Sequence, residues 1–188
     1  IYFKNVSKAY NGSLILDNIS FKVEPGEFVS LVGRSGVGKT TLLKMLIREE
    51  NPTKGRIFFN DKDINKLKQQ EVTLLRRKIG MVFQDFKLLT QKTAYENVAF
   101  AMEVAGYPEK TIERDAPELL KLVNLEGKAN NFPFQLSAGE KQRVVIARVL
   151  AQRPELILAD EPTGDLDPIN TWEIIKLLTK INELGTAI

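Results

Sequence analysis

The run Gly33-Arg34-Ser35-Gly36-Val37-Gly38-Lys39-Thr40 carries the clearest chemistry in the chain. Its glycines allow backbone N–H groups to close around a phosphate without Cβ clashes, and a helix opening at its end adds partial positive charge. Lys39 is placed to reach β- and γ-phosphate oxygens, and the Thr40 hydroxyl to ligate Mg²⁺. Thr41 adds a hydroxyl contact to the α-phosphate. The flanks agree with this reading of a Walker A loop. Phe28-Val29-Ser30-Leu31-Val32 is an apolar run expected as a strand, and Leu42-Leu43-Lys44-Met45-Leu46-Ile47 has helical spacing. The chain therefore binds a nucleoside triphosphate.

A second constellation is Leu156-Ile157-Leu158-Ala159-Asp160-Glu161, an apolar run ending in two carboxylates. Continuous hydrophobicity marks a parallel strand buried on both faces, and ligands sit beyond the carboxyl ends of such strands. Asp160 would hold Mg²⁺, directly or through water, while Glu161 would orient and deprotonate the attacking water. Read alone, the pair is equally a solvated acidic turn before Pro162. Gln84 ends another apolar run, Ile79-Gly80-Met81-Val82-Phe83, where an amide oxygen can complete a magnesium shell. Leu136-Ser137-Ala138-Gly139-Glu140 precedes the stripe Val144, Ile146, Ala147 and Leu150. Ser137 and Glu140 have capping-box spacing. The same helix N-terminus can present Ser137 and Gly139 to a γ-phosphate. These two readings are compatible, and the second requires another copy of the chain.

Around these residues the 188-residue chain reads as one domain or a core with an inserted subdomain. It is 43% hydrophobic and 27% charged, ordinary for a protein with a sizeable core. The net charge of +3 is too mild to point to nucleic acid. Lys66, Lys68, Arg76, Arg77 and Lys78 form the densest basic stretch, a solvated helix face or a phosphate or lipid patch. Cysteine is absent, which excludes disulfides and thiolate-bound metals. No apolar run approaches the roughly 20 residues of a membrane span.

Residues 1–32 alternate apolar and polar positions about Asn11-Gly12, so antiparallel strands lead into the phosphate loop. A further strand follows at Arg56–Phe59, and a helix is expected over Leu67–Lys78. Helices are expected at Ala94–Val104, Thr111–Leu125, Ala138–Ala151 and Asn170–Leu184. The predicted class is α/β: a P-loop NTPase core with a parallel sheet, an N-terminal antiparallel β-subdomain and an inserted α-helical lobe. Residues 1–84 and 152–188 would form the nucleotide-binding core, and 85–151 the helical subdomain.

The Walker A loop, Gln84, Leu136–Glu140, the Asp160-Glu161 strand end and Gly164-Asp165-Leu166-Asp167 follow one another in this order. The set resembles the ABC-type ATPases, nucleotide-binding subunits of transporter-like complexes, over the whole chain. Within them, Phe83–Leu89, Thr93–Val98, and Asp167-Pro168 with Thr171–Ile174 look like the subunits that act in bacterial cell division. Lipoprotein-release and macrolide-type transporters share much of this surface. The resemblance implies that Tyr10 stacks on adenine, a position otherwise read as an ordinary strand aromatic. It implies that Ser137 and Gly139 contact the γ-phosphate held by the opposite protomer, and that Asp167 aligns the interface. Two ATP molecules would then be sandwiched in a homodimer. It further implies Mg²⁺ as cofactor, an FtsX-like integral membrane partner, contact with other division proteins, and a peripheral place on the cytoplasmic face of the bacterial inner membrane. An ATP-gated recruitment module with little turnover is the alternative of a different kind. Phe86–Tyr95 is the expected partner surface, though its apolar residues suit core packing as well. Ala138 and Glu140 depart from the usual glycine and glutamine. The family also continues past Ile188 into a strand leading to a switch histidine, and the chain contains no histidine. The expectation is a C-terminally truncated ABC domain that binds Mg-ATP and turns it over weakly.

Overall fold

A computed structural model describes residues 1–188. Asn11 and Gly12 both adopt left-handed φ, 49° and 83°, the geometry of a tight hairpin between twisted strands. They join β1 (Tyr2–Tyr10) to β2 (Ser13–Lys22), with Tyr10 opposite Ser13. Helix α1 (Lys39–Leu46) follows the phosphate loop. β3 (Lys54–Phe59) then pairs with the free edge of β1, and β4 (Lys62–Asp63) completes an antiparallel sheet ordered β2-β1-β3-β4. Helix α2 (Gln69–Lys78) leads into β5 (Ile79–Val82). Three helices come next: α3 (Ala94–Ala105), α4 (Glu109–Leu122) and α5 (Ala138–Leu150). β6 (Leu156–Ala159) and α6 (Pro168–Glu183) close the order. β5 and β6 are parallel and in register from Ile79–Leu156 to Val82–Ala159, which brings their carboxyl ends side by side.

Two apolar cores hold these layers. The smaller joins Leu42, Leu43, Met45 and Leu46 of α1 to Phe3 and Val6 of β1, Ile57 of β3, and Leu156 and Leu158 of β6. Successive β6 residues face opposite sides, so Ile157 enters the larger core with α3–α5, Val82 and the inner face of α6. Each fully buried aliphatic side chain contributes roughly 1.5–3 kcal/mol. β6 is thus anchored from both faces just where its carboxylates emerge.

Phe28–Val32 differs from expectation, for it forms no regular strand. Its backbone bonds run from the Val29 N–H to the Ile188 carbonyl and from the Ile188 N–H to the Glu27 carbonyl. A cavity of about 300 Å³ separates Phe28–Leu31 from β6. A pleat is fixed by ladder bonds along its length, and here one residue supplies them. Smaller shifts have local causes. α2 begins at Gln69 because the Asp63 carboxylate accepts the Asn65 N–H (3.0 Å) and winds a separate turn before it. α4 starts directly after Pro108 and stops at Leu122, because Asn124 turns left-handed (φ 57°) and sends buried Leu125 into the core from a separate turn.

Candidate nucleotide site

The phosphate loop curls between β-hairpin and helix. Gly38, at φ 105°, is the residue from which α1 starts, and no side chain caps that helix. A Cβ at Gly38 would lie 2.8 Å from the Leu16 side chain, so both its backbone angle and its packing against β2 call for glycine. The Lys39 ammonium donates to the carbonyls of Gly33 (3.0 Å) and Arg34 (3.2 Å), which folds the lysine over its own loop. It also lies 3.9 Å from the Glu161 carboxylate, whose side chain is half exposed. Residues 33–37 of the loop are exposed to solvent, while Gly38 is buried.

The Thr40 hydroxyl donates to the Asp160 carboxylate at 3.1 Å, a bond that joins α1 to the end of β6 across 120 positions of chain. Asp160 is itself fixed by its N–H, which donates to the Val82 carbonyl of β5 (2.9 Å). Glu161 follows in the left-handed region at φ 48°, an uncommon conformation that costs a non-glycine residue about 1–2 kcal/mol. That reversal turns the chain off the sheet, with the Gly164 N–H closing onto the Glu161 carbonyl at 3.0 Å. Gln84 lies just past β5, and its amide donates to the Asp165 carboxylate at 3.3 Å. Hydroxyl, carboxylate and amide oxygens are hard donors that suit Mg²⁺, which keeps several waters and takes further oxygens from phosphate. No group of three or more His, Cys, Asp or Glu side chains is gathered for a metal, so Thr40, Asp160 and Gln84 would hold the ion only together with a nucleotide.

Ser137 and Glu140 form a full reciprocal cap on α5. The Ser137 hydroxyl accepts the Glu140 N–H (3.2 Å), and the Glu140 carboxylate accepts the Ser137 N–H (2.8 Å). The Ser137 N–H is the main reason the Glu140 carboxyl is held below its ordinary pKa; burial opposes it. The acid at position 140 is therefore turned into its own helix. Ala138 has negative φ, so its methyl is accommodated. Gly139 is buried beneath α6, where a Cβ would sit 2.0 Å from the Asn170 amide oxygen. No hydrogen bond or ion pair connects residues 137–140 to the phosphate loop. Asp167 caps α6 through the N–H groups of Ile169 (2.9 Å) and Asn170 (3.0 Å).

Tyr10 ends β1, partly exposed at the hairpin tip, with the Lys8 ammonium 4.6 Å from its ring centre. The expected partner surface divides. Phe86 and Leu88 pack against the larger core, whereas Leu89 is exposed. Two residues with a bearing on the site were not singled out from the sequence for the contacts they make. Asp165 belongs to the motif run yet gave no sign that it would hold Gln84. Arg148 sits beside an apolar helical stripe, and a cation in that place was the available signal.

A model of the ABC transporter family matches residues 16–164. The cell division ATP-binding protein FtsE of Bacillus subtilis (strain 168) is 53% identical over 189 aligned positions, covering 100% of this chain and 83% of its own. FtsE of Escherichia coli (strain K12) is 46% identical, covering 100% of this chain and 85% of its own. Among solved structures, the dimeric post-hydrolysis state of the ATP-binding cassette MJ0796 bound to ADP and Pi superposes with TM-score 0.87 at 40% identity, over 99% of this chain and 84% of that one. The Clostridium perfringens cbiO1 subunit, part of the ABC transporter complex cbiONQ, superposes with TM-score 0.92 at 34% identity, over 100% and 75%.

Proposed function

The chain belongs to the ABC transporter family, and from that premise we propose that it is the ATP-binding and hydrolysing subunit of a bacterial cell-division complex. It closes on a second copy of itself around ATP and passes that motion to an FtsX-like integral membrane partner and, through it, to other division proteins. The observation that carries the reading is the Thr40–Asp160 bond, which sets the phosphate loop against the acid-bearing end of β6. The FtsE relatives at 46–53% identity supply the setting.

Lys39 and the N–H groups of the loop bind and orient the β- and γ-phosphates. Glu161 accepts the proton of the attacking water, and the strained turn at its backbone aims the carboxylate toward Lys39. Bound Mg²⁺ supplies charge stabilisation on the phosphate oxygens, with Thr40, Asp160 and Gln84 as its protein ligands. Lys39 is released from the Gly33 and Arg34 carbonyls to meet the phosphates. Ser137 and Gly139 serve the nucleotide of the opposite copy, a role supported by their lack of any bond to their own loop. Tyr10 takes the adenine. Residues 1–84 with 152–188 act as the nucleotide-binding part, and 85–151 as the helical part that moves.

No helix is long and apolar enough to cross a membrane. We place the chain peripherally at the cytoplasmic face of the inner membrane, held there by its partner. The test is Glu161→Gln in Mg-ATP: the variant should elute as a dimer and copurify with the integral membrane protein. A species that stays monomeric at saturating Mg-ATP removes the sandwich, and with it the coupling.

A further inference from the structure

Arg148 lies near the end of α5, eleven residues after Ser137 and therefore about 16 Å along the same helix. Its guanidinium donates to two backbone carbonyls of the loop that follows Gln84, Lys87 at 2.6 Å and Phe86 at 3.0 Å. None of the ion pairs in the chain includes it. Burial pushes its pKa down with no carboxylate to offset the cost. A partly desolvated cation held by two carbonyls needs a reason, since taking a charge out of water is costly.

The loop it grips is unusual. Phe86 and Lys87 are consecutive non-glycine residues at left-handed φ, 55° and 47°, and the Lys87 N–H turns back to the Asp85 carbonyl. Such pairs persist only where their surroundings over-determine them. The Lys87 ammonium lies 3.6 Å from the centre of the Phe83 ring, on the other side of Gln84. The Phe86 side chain packs into the larger core. Gln84 is thus bracketed, with its amide on Asp165.

We propose that Arg148 is a positioning residue for hydrolysis, which ties the 85–87 kink, and so the Gln84 amide, to helix α5. Arg148 does not touch the nucleotide. It makes the placement of Gln84 follow the helix that begins at Ser137, so that movement of α5 is felt at the magnesium site. The inference rests on the roles given above to Gln84 and Ser137.

A double-mutant cycle in the full chain tests it, with Arg148→Gln, Gln84→Ala and the pair compared for ATP turnover and Mg²⁺ dependence. Arg148→Gln should lower kcat roughly ten- to a hundredfold, the scale of a remote misplacement, and raise the Mg²⁺ needed for half-maximal turnover. ATP affinity should stay near the parent's. The pair should be no slower than the slower single variant, because both act through one group. Arg148→Lys, which keeps the charge and can reach one carbonyl, should recover part of the rate and carries the same cycle if the glutamine variant does not fold. Losses that multiply, or an ATP affinity that falls in step with kcat, overturn the assignment. Loss of nucleotide uptake in Lys39→Ala tests the underlying site on its own. A multiplicative cycle in a protein that still depends on Lys39 therefore sinks the Arg148 role alone.

Discussion

The starts of α1 and α5 are both helix N-termini offered to phosphate in this reading, yet they settle their own backbone donors in opposite ways. α1 begins from left-handed Gly38 with no side-chain cap and no acid in its first turn. α5 begins from Ser137 with a reciprocal cap and Glu140 in its first turn. A helix leaves its first N–H groups without partners. At α1 they remain available to an anion, and Lys39 meanwhile bonds to its own loop. At α5 the Ser137 and Glu140 N–H groups are already used, so half of that helix end is closed before any ligand arrives, and only the Ala138 and Gly139 N–H groups stay open. One region is built to be finished by its ligand, the other to be rigid when it meets one.

The largest expected effect separates chemistry from binding inside the open region. Glu161→Gln should lower kcat about 10²–10⁴-fold, the usual worth of a positioned base, while ATP affinity measured by fluorescent-nucleotide titration stays near the parent's. Lys39→Ala comes next. Losing charge-assisted bonds to the phosphates should weaken Mg-ATP binding roughly ten- to a hundredfold. The ligand-free melting midpoint should barely move, because there Lys39 bonds exposed carbonyls and otherwise meets only the half-exposed Glu161 carboxylate, at 3.9 Å. A large drop in that midpoint would break the contrast, by showing that the loop supports the fold.

The capped region should behave in reverse. Ser137→Ala removes an N-cap worth about 1 kcal/mol and should lower the melting midpoint by roughly 2–4 °C without nucleotide. ATP affinity of the isolated chain should be unchanged. The smallest effect concerns acid. The Glu140 pKa is depressed in the folded chain, so its contribution is present above the ordinary glutamate value of 4.5 and fades as pH falls through the lower folded value. Glu140→Gln keeps an acceptor for the Ser137 N–H and should flatten the melting midpoint's dependence on pH below about 4.5. A parent-like acid slope in that variant would show that the cap does not draw on the carboxylate.

The phosphate loop, the acidic end of β6 and the α5 cap were all legible in the sequence, because each is a contiguous run whose spacing alone fixes the local geometry. The hairpin at Asn11-Gly12 was legible for the same reason, its backbone angles being a property of those two residues. Phe28–Val32 misled, since its composition suits a strand while a strand exists only where another segment supplies a ladder. Phe86, Leu88 and Leu89 lie within four residues of one another, and only packing against the larger core divides them into partly buried and exposed.

By itself, then, the order of residues determined where a glycine-rich loop opens α1, where β6 ends in two carboxylates and which helix start carries a side-chain cap, since bonds between near neighbours decide these matters. The tertiary structure alone decided that Thr40 faces Asp160, that Gln84 rests on Asp165, and that Arg148 grips the kink beside it. Those pairs lie 61 to 120 positions apart. Their meeting depends on how both faces of β6 and the inner side of α5 are packed, and no local spacing encodes that.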